Sequence, residues 1–207
     1  NEAAPGLPQF GDPWRYSSAT GSVAPQPSYL IGGSRDLQQE SGTTHISVVD
    51  HAGNMACATP SGGAFDKSVF FSELGFAIST RSEMFNLTTG HPNCVAPGKR
   101  PRTTIINFML ARGDTPIMTI GCPGGDAQAQ ANLQLLLNTV VWGMNPQEAV
   151  ESPRFSSLSV PNSFYPHDYL AGQLALEDTF PQSTFDTLTS MGHHVTRVAT
   201  CGMGGTV

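Results

Sequence analysis

Residues 43–50 (TTHISVVD) and 54–59 (NMACAT) alternate in character, are rich in β-branched residues, and are separated by the tight sequence His51-Ala52-Gly53, which predicts a hairpin. A second hairpin is predicted over 103–111 (TTIINFMLA) and 116–122 (PIMTIGC), split by Arg112-Gly113-Asp114. Its apolar runs are dense enough to expect burial on both faces. Between 126 and 144 the period becomes helical. Leu133, Leu136, Leu137, Val140, Val141 and Met144 recur on one side, and Asp126 is placed to cap the start. A short helix over 146–151 opens on Pro146, where a missing N–H costs nothing, and is closed by Ser152-Pro153. A third helix over 182–191 stops at Gly192 and leads into a strand over 194–199. Strands, then helices, then a strand read as an α+β fold. Residues 1–42 are rich in Pro, Gly, Ser and Gln, hold no sustained period, and are expected to form an extended arm.

Composition narrows the partners. The chain has 207 residues and a formal charge of -6, which suits one domain or a large piece of a bigger protein and argues against nucleic acid or an anionic membrane held by bulk field. No run approaches the ~20 apolar residues that cross a bilayer. Four cysteines stand far apart, and the adjacent His193 and His194 would point to opposite faces of a strand, so neither a metal site nor a cofactor is expected. Asn1 in place of Met and the ending Gly204-Gly205-Thr206-Val207 suggest a segment of a longer product, truncated at its C-terminus. The compartment is left open between periplasmic or extracellular and cytoplasmic.

Thr43 follows Ser41-Gly42 at the head of the first strand. A threonine hydroxyl is a weak nucleophile without a base beside it. Cutting the Gly42–Thr43 bond would free an α-amine with a pKa of about 7.7–8.0, neutral often enough near pH 7 to act as that base. Spacing alone is equally met by two β-branched residues opening a strand. The glycine-rich segment 121–126 (GCPGGD) follows a strand and precedes the long helix, where backbone N–H groups can face an anion, or can simply make a tight turn.

Taken together, residues 43–50 with Gly53-Asn54, Pro97-Gly98-Lys99-Arg100-Pro101 with Thr103-Thr104, the segment 121–125, and 149–155 (AVESPRF) resemble, in order, the small catalytic subunit of the γ-glutamyltranspeptidase family. The resemblance implies an N-terminal-nucleophile hydrolase with a four-layer αββα sandwich, part of it supplied by a large subunit of the same precursor. It implies self-cleavage between Gly42 and Thr43, with Thr43 as nucleophile and, through its α-amine, as base. Gly124 and Gly125 would form the oxyanion hole, and Thr103 and Thr104 would meet the substrate carboxylate. The catalytic domain is then 43–207, with a small-molecule amide as substrate.

Two segments depart from the family pattern. At 59–63 (TPSGG), Ser61 takes a hydroxyl position beside the nucleophile and Gly63 replaces a substrate-binding asparagine. At 79–85 (STRSEMF), Glu83 stands near the place of an aspartate that grips the glutamyl ammonium, and Arg81 adds a cation suited to a carboxylate. This pattern fits an acyl group bearing an acid and no amine, as in the branches that resemble oxamate or glutaryl-amide hydrolases. It also fits an Arg81–Glu83 ion pair on a surface loop. A non-catalytic remnant of the fold is the reading from a different class. Cys122 reads as a buried small residue rather than a thiol nucleophile.

Overall fold

The computed structural model describes residues 43–62 and 69–200. The extended arm, Gly42 and Gly63 lie outside them. Strands β1 (Ile46–Val49) and β2 (Met55–Ala58) form the first hairpin, with Ile46 opposite Ala58 and Val49 opposite Met55. Its turn is built by Asp50, whose carboxylate accepts from the Ala52 and Asn54 amides and the Asn54 side chain, while Gly53 supplies φ +84°. Those bonds, the Asn54 side chain first, hold the Asp50 carboxyl below its usual range.

A short aromatic hairpin, β3 (Phe70–Phe71) with β4 (Phe76–Ala77), and a 3-10 turn over Arg81–Met84 follow; their brevity hides them from periodicity. Strands β5 (Asn107–Arg112) and β6 (Thr115–Gly121) pair antiparallel with a register shift after Leu110. Beyond them come α1 (Ala127–Val140), α2 (Pro146–Glu151), β7 (Phe155–Ser157), β8 (Gln173–Glu177), α3 (Gln182–Ser190) and β9 (His194–Val198). β7 is antiparallel to β8, and β9 runs parallel to it after the α3 crossover.

The first hairpin lies over one face of β5–β6. Asn107 Nδ2 reaches Cys57 Sγ at 3.1 Å, and the Thr119 hydroxyl donates to Ser47 Oγ at 2.7 Å. α1 covers the other face, where Ile120 and Cys122 are buried and Cys122 Sγ donates to Asn132 Oδ1 at 3.2 Å. Burial on both faces therefore holds only toward Gly121. Met109 and Ile117, near the hairpin turn, are 41% and 44% exposed because the first hairpin does not extend over them.

Three expectations for α1 need correction. Asp126 precedes the helix in αR conformation but makes no capping bond, because its carboxylate is taken by Ser163. The helix ends at Val140 rather than at Met144: Gly143 at φ +69° turns the chain, and the Trp142 and Met144 amides reach back to the Leu137 and Asn138 carbonyls. The leucine stripe does not form the core, since Leu133 and Val140 are more than half exposed while Gln128 and Asn132 are buried.

Amide side chains face inward because neighbouring backbone groups need partners. Gln128 Oε1 accepts from the Ile106 N–H, and Asn132 Nδ2 donates to the Ile106 carbonyl, both at 3.1 Å. One turn round the helix, Gln130 and Gln134 each accept from and donate to the backbone of the edge strand β7, at Ser157 and Phe155. Two i,i+4 pairs thus take the place of missing strands. The ladder of β5 begins at Asn107 and not at Thr103 because Ile106 is engaged by the helix. α2 occupies the expected 146–151, and Asn145 completes a capping box with Glu148, worth about 1 kcal/mol.

Candidate active site

The antiparallel register of β1 and β2 continues past their ends. Thr44 donates its N–H to the Pro60 carbonyl at 3.1 Å, which sets Thr43 across from Ser61, and the two hydroxyl oxygens lie 2.6 Å apart. Ser61 Oγ also accepts from Arg81 Nη2. Arg81 is brought there by the 3-10 turn, whose leading residue, Thr80, donates its N–H to the Gly62 carbonyl at 2.9 Å. The guanidinium packs over the Phe164 ring, 5.5 Å from its centroid. Its Nε is buried with no partner among the described residues.

Arg81 and Glu83 do not form the surface ion pair that the spacing allowed. Glu83 Oε1 accepts from the Thr80 hydroxyl at 3.4 Å, while Arg81 faces Ser61, Met84 Sδ and Phe164. On a 3-10 turn, residues two apart point in different directions, which keeps the carboxylate away. No carboxylate among the described residues lies within ion-pair distance of this guanidinium.

His45 links the strand headed by Thr43 to the glycine-rich turn. Its ring is held by Thr59 Oγ1 and Ser47 Oγ, both at 2.9 Å, and rests on Gly121, where an added Cβ would stand 2.3 Å from ring atoms. Burial lowers the pKa of this imidazole. From Gly121 the chain runs into Gly124 and Gly125, at φ +131° and +53°, conformations that favour glycine. The two amide N–H groups are not engaged by any described residue, while the Gly124 and Gly125 carbonyls accept from Ala127 and Gln128. The turn begins three residues after Gly121, on which the ring of His45, two positions after Thr43, rests.

Thr103 is exposed, its hydroxyl accepting from the Ile105 N–H at 3.1 Å. Thr104 is buried, and its hydroxyl has no partner among the described residues. Arg102, just before Thr103, lies 3.8 Å from the Asp126 carboxylate beside the glycine turn. Ser61 is thus in direct contact with both Thr43 and Arg81. Gly124 and Gly125 follow Gly121, on which His45 rests, whereas Thr103, Thr104 and Glu83 make no hydrogen bond to Thr43, Ser61 or Arg81 among the described residues. Phe164 and Ser163 escaped the sequence reading because they lie in an aperiodic loop of Pro, Asn, Ser and Tyr.

Cys122 is 4% exposed, and burial pushes its thiol pKa up to about 11. At pH 8 in the native full-length protein, iodoacetamide is expected to label the half-buried Cys57 and Cys94 and to spare Cys122, with all of them labelled after denaturation. Peptide mapping that found Cys122 alkylated as fast as Cys94 in native protein would contradict its buried setting.

The chain matches the family model described as gamma-glutamyltranspeptidase over residues 14–207. It is 30% identical over 189 residues to the glutathione hydrolase proenzyme of Bacillus subtilis subsp. natto, covering 90% of this chain and 29% of that protein. To the acylase ACY 1 proenzyme of a Pseudomonas species it is 30% identical over 156 residues, covering 75% of this chain and 26% of that protein. Among solved structures it is similar to an acivicin-inhibited gamma-glutamyltranspeptidase, with a TM-score of 0.62 and 25% identity, covering 79% of this chain and 86% of that one. The chain therefore spans less than a third of the length of these curated relatives, 29% and 26%.

Proposed function

Because the chain belongs to the gamma-glutamyltranspeptidase family, we propose that it carries the catalytic half of an N-terminal-threonine amide hydrolase or acyl transferase. It would mature by cleavage between Gly42 and Thr43 and work with a large subunit from the same precursor. The observation that carries this reading is the 2.6 Å contact between Thr43 Oγ1 and Ser61 Oγ, with Arg81 on the same serine.

In the proposed reaction the free α-amine of Thr43 takes the hydroxyl proton as Oγ1 attacks the amide carbonyl. The new C–O bond places negative charge on the carbonyl oxygen, which the Gly124 and Gly125 amides would receive; each such donor is worth about 2.7–4 kcal/mol where it has been removed from other enzymes. Collapse expels the amine, protonated by the Thr43 ammonium, and leaves an ester on Thr43. Water or an acceptor amine then attacks that ester by the reverse sequence. Ser61 would hold the threonine oxygen in line throughout. Electrospray mass spectrometry of the full-length protein, after brief exposure to a γ-glutamyl or dicarboxylic anilide, tests this: the acyl mass is expected on the peptide that begins at Thr43. An adduct elsewhere, or turnover without cleavage before Thr43, would contradict it.

Arg81 favours one substrate class within this reading, a short acyl group with a terminal carboxylate and no ammonium. A guanidinium with no carboxylate partner among the described residues attracts an acid and repels an ammonium. Amides of the oxamate or glutaryl kind are then preferred over γ-glutamyl amides. Arg81→Met is expected to lower kcat/KM for the acid-bearing amide about 100-fold, taking two charge-assisted bonds at about 1.5 kcal/mol each, and to leave an uncharged acyl amide much less affected. Equal losses on both substrates would remove Arg81 from acyl recognition.

A further inference from the structure

Asp126 and Ser163 lie 37 positions apart in sequence, yet the carboxylate accepts from the Ser163 N–H at 2.7 Å and also from its hydroxyl. Ser163 is fully buried. Each partner adjoins a part of the candidate site. Asp126 directly follows Gly124-Gly125, and Ser163 directly precedes Phe164, the ring under Arg81. The loop that carries Ser163 is tied down again by His167, whose ring nitrogens lie 2.9 Å from the Asn162 carbonyl and 3.0 Å from that of Phe85, next to the 3-10 turn. The Asn162 side chain accepts from the Phe164 N–H at 2.8 Å, which orients the aromatic residue.

Asp126 stands at the position where a helix-capping acid is expected and makes no cap. Its oxygens are committed to the loop instead. Arg102, at 3.8 Å, is too far to hydrogen-bond and leaves Ser163 as the hydrogen-bonding partner among the described residues.

We propose that Asp126 and Ser163 are positioning residues that lock the glycine turn and the Arg81 platform into one unit, so that the oxyanion donors and the acyl-carboxylate anchor are set relative to each other. This inference rests on the reading of Thr43, Arg81 and the glycine turn given above. Its physical basis is that two pieces, a turn of positive-φ glycines and a loop without regular structure, share one charge-assisted anchor between the half-buried Asp126 and the buried Ser163. Freed from it, each would sample its own conformations, and both halves of the site would loosen together.

The test uses Asp126→Asn, Asp126→Ala and Ser163→Ala in the full-length protein. Hydrogen exchange reads the lock without turnover: the backbone of 121–126 and of 81–86 is expected to exchange faster in each variant, while β8 keeps its protection. Kinetics read it with turnover. Because the oxyanion donors drift, kcat is expected to fall about 10-fold to 100-fold on any amide; because Arg81 drifts, KM is expected to rise severalfold only on the acid-bearing amide. Asp126→Ala should exceed Asp126→Asn, which keeps one acceptor. Exchange that rises in one segment only, or in β8 equally, would overturn the proposal, as would a KM change shared by charged and uncharged amides. If exchange behaves as expected but wild-type protein forms no acyl-enzyme on Thr43, the reaction assignment falls and the mechanical link stands.

Discussion

Thr43→Ala is expected to leave the Gly42–Thr43 bond intact and to reduce turnover by about six orders of magnitude, the loss seen when a nucleophile that acts as a unit with its base is removed. The size follows from one residue having two roles. The hydroxyl is required to attack the upstream peptide bond, so without it no α-amine is released, and both nucleophile and base vanish in one substitution. The Ser61 hydroxyl remains in place but cannot substitute, because it accepts from the Arg81 guanidinium and has no amine of its own beside it. Intact-mass measurement on the purified full-length protein reports cleavage, and a chromogenic anilide reports turnover. An alanine variant that is cut at this bond, or that turns over at more than about a thousandth of the wild-type rate, would remove Thr43 from the chemistry.

The largest effect on stability is expected at Arg154 and Glu177. Arg154 Nη2 meets Glu177 Oε1 at 2.8 Å, with the two side chains 9% and 2% exposed. The Arg154 amide donates to Glu177 Oε2 at 3.1 Å, and the Glu177 amide donates back to the Arg154 carbonyl at 3.0 Å. Two strands, β7 and β8, are thereby held in register just before Phe155. Removing one side chain leaves the other charge buried without its ionic partner, so Arg154→Met or Glu177→Leu alone is expected to cost about 3–5 kcal/mol. The double variant is expected to recover much of that, because a buried ion pair is worth little against well-packed apolar groups. Urea unfolding of the full-length variants measures both. Additive losses in the double variant would show that each side chain acts through separate partners.

Several elements were legible along the chain for local reasons. The first hairpin is specified by its Asp50 to Asn54 turn, whose bonds all fall within four residues. α2 is specified by Asn145, Pro146 and Glu148, again within one turn of helix. Ser61 was set beside Thr43 in the sequence by the family resemblance alone; in the structure the register of the first hairpin, counted outward from its turn, puts position 61 opposite position 43. β7 and β8 were missed. β7 is three residues long, and its edge is completed by the side chains of Gln130 and Gln134 on a helix more than twenty positions away.

The amino-acid order by itself determined the hairpin turns, the opening of α2 and the α+β arrangement, since each depends on backbone preferences and bonds that close within a few residues. Only the tertiary structure decided that the polar side of α1 faces inward, that Asp126 serves a loop and not a helix end, and that Arg81 turns to Ser61 and Phe164 and away from Glu83. The physical reason is common to all three. A buried amide, carboxylate or guanidinium goes to whichever unsatisfied group the fold brings near it, and that group lies 20 to 83 positions away for Arg81 and 37 for Asp126.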